Sequence, residues 1–213
     1  MRAWRHLTPR YILNRVNVMI YQKRFPDYPW LTKLANIIIS SYLTKSDIGL
    51  EFGSGKSTLY FAQIVSFLTS VEHDQQWYSK VNGTLISRGI TNVDYRFCPN
   101  DIDKENLENS EYVKVCNNFS KNTLDFVLVD GNCRATVANL VTDKIRPGGL
   151  LIFDNANWYL PCNSVSPNSR TLSQGPASPE WGIFLNSVHN WRCIWTSNGV
   201  CDTALYLKPC QAN

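Results

Sequence analysis

The stretch Ile48-Gly49-Leu50-Glu51-Phe52-Gly53-Ser54-Gly55-Lys56-Ser57-Thr58-Leu59 decides how the chain is read. A short apolar run carries a carboxylate near its end, and two glycines alternate with Ser54. Ser57 and Thr58 then open an apolar helical pattern that continues through Tyr60, Phe61 and Ile64. This is a strand, a tight turn and a helix start. Such loops cradle nucleotides, because glycine lets a ligand approach bare backbone while helical N–H groups face it.

Three kinds of nucleotide loop compete for this stretch. A phosphate loop needs G-x-x-x-x-G-K-[ST]. Gly55-Lys56-Ser57 fits its tail, but Leu50 stands where the first glycine belongs and Gly49 comes one position early. A dinucleotide fingerprint needs G-x-G-x-x-G. Gly53 and Gly55 fit, while Thr58 takes the third glycine's place. Glu51 separates the remaining option, since a carboxylate two residues before the first glycine suits a ligand with an ammonium group better than a pyrophosphate. Lys56 then reads as an exposed residue at the helix start.

Outward from the loop, strand and helix patterns alternate. Strands are expected at Ile48–Phe52, Leu68–Glu72, Val93–Phe97, Asp125–Val129 and Leu150–Phe153. Helices are expected from Ser57, from Asp74 to a stop at Gly89, and over Cys133–Ile145, with Arg146-Pro147-Gly148-Gly149 as a turn. Asp125–Val129 is nearly continuous in apolar residues, as in a strand buried on both faces. Residues 155–178 read as a long loop, a length that is usually functional or disordered. A short helix near Glu180–Val188 and a hairpin of Trp191–Thr196 and Ala204–Leu207 close the chain. The fold class is therefore α/β, an open sheet with helices on both faces.

Polar groups stand at the carboxyl ends of these strands, the edge where open α/β sheets bind ligands. Glu72 closes strand two, 21 residues after Glu51, where a carboxylate can take ribose hydroxyls. Asp130-Gly131 follows strand four and Asp154-Asn155 follows strand five.

The ordered series Glu51-x-Gly53-x-Gly55, Glu72, Val129-Asp130-Gly131 and Gly148-Gly149 with Asp154-Asn155 resembles the class I S-adenosylmethionine-dependent methyltransferases. The match covers about residues 26–208. It is most similar to small bacterial methyltransferase-like proteins, which carry E-F-G-S-G-x-S-T, V-E-H-D-x-x-W-Y and D-G-x-x-R. The resemblance implies a Rossmann-like, mostly parallel sheet of strand order 3-2-1-4-5-7-6 with the last strand antiparallel. It implies S-adenosylmethionine as cofactor. Glu51 would reach the methionyl ammonium through water, and Gly53, Ser54 and Gly55 would line the methionine and ribose. Ser57 and Thr58 would cap the helix beside them. Glu72 would hold the ribose, His73 would lie near the adenine, and Asn100 and Asp101 would meet the adenine edge. Asp130 would face the cofactor or the acceptor.

Catechol-type O-methyltransferases bind Mg²⁺ through an Asp after strand four and an Asp-Asn pair after strand five. Asp130, Asp154 and Asn155 match those types and places, and hard oxygen ligands suit Mg²⁺. This chain departs from that pattern at Cys133, where those enzymes carry a lysine, and Arg134 comes one residue later. The expected activity is methyl transfer to a small-molecule acceptor at oxygen. Asp130 or Asp154 would act as the base, or both would bind a metal that acidifies the hydroxyl. A nicotinamide-dependent dehydrogenase and a non-catalytic binding protein of the same fold are the alternatives. Tyr28, Trp30, Trp158 and Tyr159 either wall a substrate pocket or pack an arm on the domain.

Bulk composition is consistent with one domain, with or without an appended segment: 213 residues, 44% apolar and a net charge of +4, too weak to argue for nucleic acid. Residues 1–30 carry six Lys and Arg against Asp27 alone. Residues 1–45 thus read as a basic helical arm and 46–213 as the domain. Ile12, Leu13, Val16, Met19 and Ile20 fall at helical spacing within the arm. That helix either docks on the domain or meets an anionic membrane surface or an acidic partner. Seven cysteines without C-x-x-C spacing argue against zinc and a disulfide framework. A soluble, cytoplasmic protein is the expectation.

Overall fold

The structure, a computed structural model, describes residues 7–99 and 109–210. Its centre is a seven-stranded sheet built from β1 (Ile48–Phe52), β2 (Phe67–Glu72), β3 (Val93–Phe97), β4 (Leu124–Val129), β5 (Ile145–Asp154), β6 (Arg192–Ser197) and β7 (Asp202–Leu207). The order is β3-β2-β1-β4-β5-β7-β6, as expected. β1 to β5 pair in parallel, and β7 runs antiparallel to both β5 and β6.

Side-chain alternation divides the core into two layers. On β1 and β4, Leu50, Phe52, Val127 and Val129 join one apolar cluster with Val137, Ala138, Trp181 and Phe184. These come from α6 (Arg134–Val141) and α7 (Pro179–Ser187). Phe126 and Leu128 face the other way, with Ile39, Tyr60 and Phe61. Those belong to α2 (Lys33–Tyr42) and α3 (Lys56–Ile64). Ala35 and Ile39 are wholly buried, so α2 is part of the domain's core. Between β2 and β3 lies α4 (Gln75–Ser87), and before β4 comes the single turn α5 (Glu111–Lys114).

Arg146-Pro147-Gly148-Gly149 is not a separate turn but part of β5, where the register with β4 shifts between Leu124 and Phe126. A bulge absorbs the proline and the glycine at φ 76° without ending the strand. The 155–178 segment is built rather than loose. Asn157 is fully buried and its amide donates to the Pro167 carbonyl and Ser169 Oγ. Ser166 donates to the buried Asp202.

The arm is helical over α1 (Pro9–Arg24), capped by Thr8, whose hydroxyl accepts from the Tyr11 N–H at 3.2 Å. It docks by the face opposite its apolar stripe. Tyr11, Asn14, Val18 and Tyr21 are half-buried, whereas Ile12, Leu13, Val16, Met19 and Ile20 are exposed. The four aromatics read as either a pocket wall or an arm packed on the domain do not form one cluster. Tyr28 packs on Tyr60 at 5.1 Å, while Tyr159 stacks on Trp181 at 5.1 Å and takes Trp158 with it.

Candidate active site

The carboxyl ends of β1, β2 and β4 open into a cavity of about 590 Å³ lined by Gly53, Ser54, Glu72, His73, Trp77, Lys80, Asp130 and Gly131, among others. The β1 and β4 ends meet backbone to backbone. Gly53 has φ 92°, and a Cβ there would lie 2.6 Å from the Gly131 nitrogen. A Cβ on Gly131 would lie 1.9 Å from the Tyr112 hydroxyl. Neither position tolerates a side chain, and the cavity floor is bare backbone.

Glu72 organises the loop. Its Oε2 accepts from the Ser54 N–H at 3.1 Å and the Ser54 hydroxyl at 2.7 Å. Its Oε1 accepts from the N–H groups of His73 at 2.8 Å and Asp74 at 2.9 Å. His73 Nδ1 lies 3.1 Å from the same oxygen but is not aligned for a hydrogen bond. Ser54 Oγ also pairs with the Tyr95 hydroxyl at 2.7 Å. Asp74 N-caps α4 by accepting from the Trp77 N–H at 2.7 Å. That cap aims Trp77 back over the glycine loop, where its indole N–H donates to the Ser54 carbonyl at 2.8 Å.

Glu51 lies behind this loop, lining neither this cavity nor the adjoining one described below. Leu50 and Phe52 face α6 and α7, so alternation turns Glu51 toward α3, opposite Ser70 in register. It is fully buried, and its Oε2 accepts from Thr58 at 2.6 Å and Ser70 at 2.7 Å. Oε1 has no hydrogen-bond partner among the described residues. Burial pushes this carboxyl up to about 7, against the opposing pull of the Ser57, Thr58 and Ser70 hydroxyls. Thr58 acts as a cap as expected, its hydroxyl accepting from the Gly55 N–H at 3.0 Å. Ser57 is buried and lines the adjoining cleft. Asn100 and Asp101 lie outside the described residues.

The Asp130–Asp154 region is organised by a residue that spacing alone did not single out. Arg134 opens α6 after Cys133 turns through a left-handed conformation, φ 51°. Its guanidinium donates to Asp130 Oδ1 at 2.9 Å and to the Asp130 carbonyl at 2.6 Å. It also donates to the Gly131 carbonyl at 2.9 Å and the Asp154 carbonyl at 2.5 Å. Asp154 itself is buried and accepts from the Thr203 hydroxyl at 3.1 Å. Its carboxyl is pushed up to about 8, chiefly by burial and then by the charge of Asp130. Burial also raises Asp130, while Arg134 pulls it back.

The residues expected to hold Mg²⁺ do not fit one. Arg134 is a fixed cation already bonded to the first of them, and a second cation beside it would be repelled. Asn155 turns the backbone through a left-handed conformation, φ 53°, that starts the short 3₁₀ segment Ala156–Trp158. Among the described residues, no group of three or more His, Cys, Asp and Glu could hold a metal ion.

A second cleft of about 360 Å³ adjoins the cavity and shares Ser54, Trp77, Lys80 and Asp130 with it. Trp30 and Lys56 complete its wall. Lys56 is half-buried rather than exposed, its ammonium 5.7 Å from the Trp30 ring centre. Lys80 sits 4.7 Å over Trp77. The sequence did carry a signal for Trp77 and Lys80. They stand three and six residues after the N-cap Asp74, on the face of α4 turned toward the loop.

Three solved structures place this architecture. A methyltransferase-like protein from Silicibacter pomeroyi superposes with a TM-score of 0.59 at 17% identity, over 85% of this chain and 89% of its own. A candidate caffeoyl-CoA O-methyltransferase from Staphylococcus aureus gives 0.59 at 14% identity, over 96% and 94%. A candidate methyltransferase of Streptococcus mutans, solved with S-adenosylhomocysteine, gives 0.52 at 11% identity, over 83% and 96%. No protein-family model and no curated protein matches the chain. The chain has the fold of the class I S-adenosylmethionine-dependent methyltransferases.

Proposed function

We propose that this protein is an S-adenosylmethionine-dependent methyltransferase acting on a small-molecule acceptor at oxygen. The observation that carries this reading is Asp130. It lies at the junction of a glycine-floored cavity and an adjoining cleft, lining both. The larger cavity fits the cofactor. Gly53 and Gly131 leave room for it, and Glu72 stands at the ribose position. Glu72 already accepts four hydrogen bonds, so ribose hydroxyls would replace the Ser54 hydroxyl, which keeps Tyr95 as a partner.

When bound, S-adenosylmethionine supplies an electrophilic methyl group on a sulfonium, and the chain supplies alignment and a proton acceptor. Asp130 takes the acceptor's hydroxyl proton, and Arg134 holds its carboxylate in place. Asp154 does not reach either cavity and serves to position Arg134 and Thr203. Trp30 and Trp77, with Lys56 and Lys80 beside their rings, suit a flat acceptor carrying negative charge. The nicotinamide alternative fares poorly, because Thr58, fully buried with its hydroxyl on Glu51, takes the place of the third glycine of a dinucleotide loop.

Calorimetric titration with S-adenosylhomocysteine and with NAD tests the cofactor. Binding of the first and not the second is expected, and the reverse result rejects the proposal. Incubation with methyl-labelled cofactor and a small-molecule cell extract tests turnover. Asp130→Asn should bind S-adenosylhomocysteine yet label acceptor roughly 10²–10⁴-fold more slowly. Undiminished labelling by this variant would remove Asp130 from the mechanism.

A further inference from the structure

The feature this site leaves unexplained is the outward face of α1. A helix on a globular surface ordinarily buries its apolar stripe and shows its polar side to water. Here the order is reversed. At 100° per residue, Ile12, Leu13, Val16, Met19 and Ile20 fall within about 120° of arc. They are 52%, 65%, 46%, 60% and 59% exposed, and no residue of the helix is buried.

The opposite face makes the attachment. Asn14 packs so closely on the β6–β7 turn that a Cβ on Gly199 would lie 2.0 Å from its amide nitrogen. The Tyr21 hydroxyl accepts from the Asn36 amide of α2 at 3.4 Å. Both halves of α1 are therefore tethered with the stripe turned away from the domain. Single exposed apolar residues are ordinary, but a contiguous stripe of five held outward marks an interaction surface.

Charge identifies the occupant. α1 contains Arg10, Arg15, Lys23 and Arg24 and no acidic residue. At the same angular spacing, Arg10 and Arg24 border one edge of the stripe and Arg15 the other, while Lys23 stands at its C-terminal end. None of the four takes part in an ion pair among the described residues. A second copy docking by the same face would bring these cations against one another. An anionic lipid surface would neutralise them while burying the stripe. We infer that α1 seats the protein on an anionic membrane surface, lying in the plane of the headgroups with Leu13, Val16 and Ile20 inserted.

The test is sedimentation of the full chain with vesicles of phosphatidylcholine alone or mixed equally with phosphatidylglycerol. Binding to the mixed vesicles is expected, about tenfold or more tighter than to the neutral ones, and weakened by high salt. The double substitution Leu13→Glu and Ile20→Glu should reduce that binding about tenfold or more without altering the melting temperature, because both side chains are in water. The inference is overturned if mixed vesicles are not bound, if neutral ones are bound equally, or if the double variant binds as before. It is likewise overturned if the free protein is a dimer by analytical ultracentrifugation and the double variant is a monomer. The stripe would then belong to a second copy.

Discussion

Replacing Glu51 by Gln tests the electrostatics at the heart of the fold. The side chain is fully buried between β1 and α3, and its carboxyl titrates at about 7 rather than the ordinary 4.5. The folded protein therefore keeps the Glu51 proton up to about pH 7, while the unfolded chain releases it near 4.5. Stability contributed by the protonated form is complete below pH 4.5, declines as pH rises, and is fully lost above about 7. At about 1.4 kcal/mol per pH unit, that interval amounts to about 3 kcal/mol. Glutamine has nearly the same shape, accepts from Thr58 and Ser70 through its carbonyl, and does not titrate. Urea unfolding of both proteins from pH 5 to pH 8 should give profiles that diverge upward for Glu51→Gln, by about 2–3 kcal/mol across the range. Asp154 and other groups titrate in both proteins, so the difference between the profiles is the quantity to read. Parallel profiles would mean that Glu51 is ionised in the folded state throughout, and the burial reasoning would fail.

Four further outcomes follow from the same geometry. Gly131→Ala should lower stability by about 1–3 kcal/mol in urea unfolding, since its Cβ would collide with the Tyr112 hydroxyl and the Gly53 nitrogen. Gly83→Ala, inside α4 with nothing within 4 Å of the new Cβ, should raise stability by about 0.5–1 kcal/mol. Arg134→Met should lower it by about 1–3 kcal/mol, because three carbonyls and Asp130 lose their donor. Exhaustive dialysis against a chelator should leave turnover unchanged, and restoration of lost turnover by added Mg²⁺ would contradict the role given to Arg134.

Much of this was legible in the chain itself because it depends on neighbours in sequence. Alternation and apolar runs marked β1 to β5 and both hairpin strands. Gly53 and Gly55 marked the turn, and Asp74 marked the start of α4. The carboxylates at the strand ends followed from the strands, since an open parallel sheet gathers those ends along one edge. Glu72, Asp130 and Gly53 accordingly share a cavity, and Gly55 lines the cleft beside it.

What the chain alone left open were contacts between residues far apart in sequence. Arg134 reaches Asp154 across 20 positions, and only the β4–β5 pairing brings that carbonyl to it. Glu51 looked like a ligand group at the loop. The strand's alternation, combined with α3 packing over it, places it in the core with Thr58 and Ser70. For α1 the periodicity foretold an apolar stripe but not its direction. A helical period specifies which residues share a face, whereas the surroundings of that face depend on anchors elsewhere. Here Gly199 and Asn36 anchor the opposite side, so the stripe faces outward.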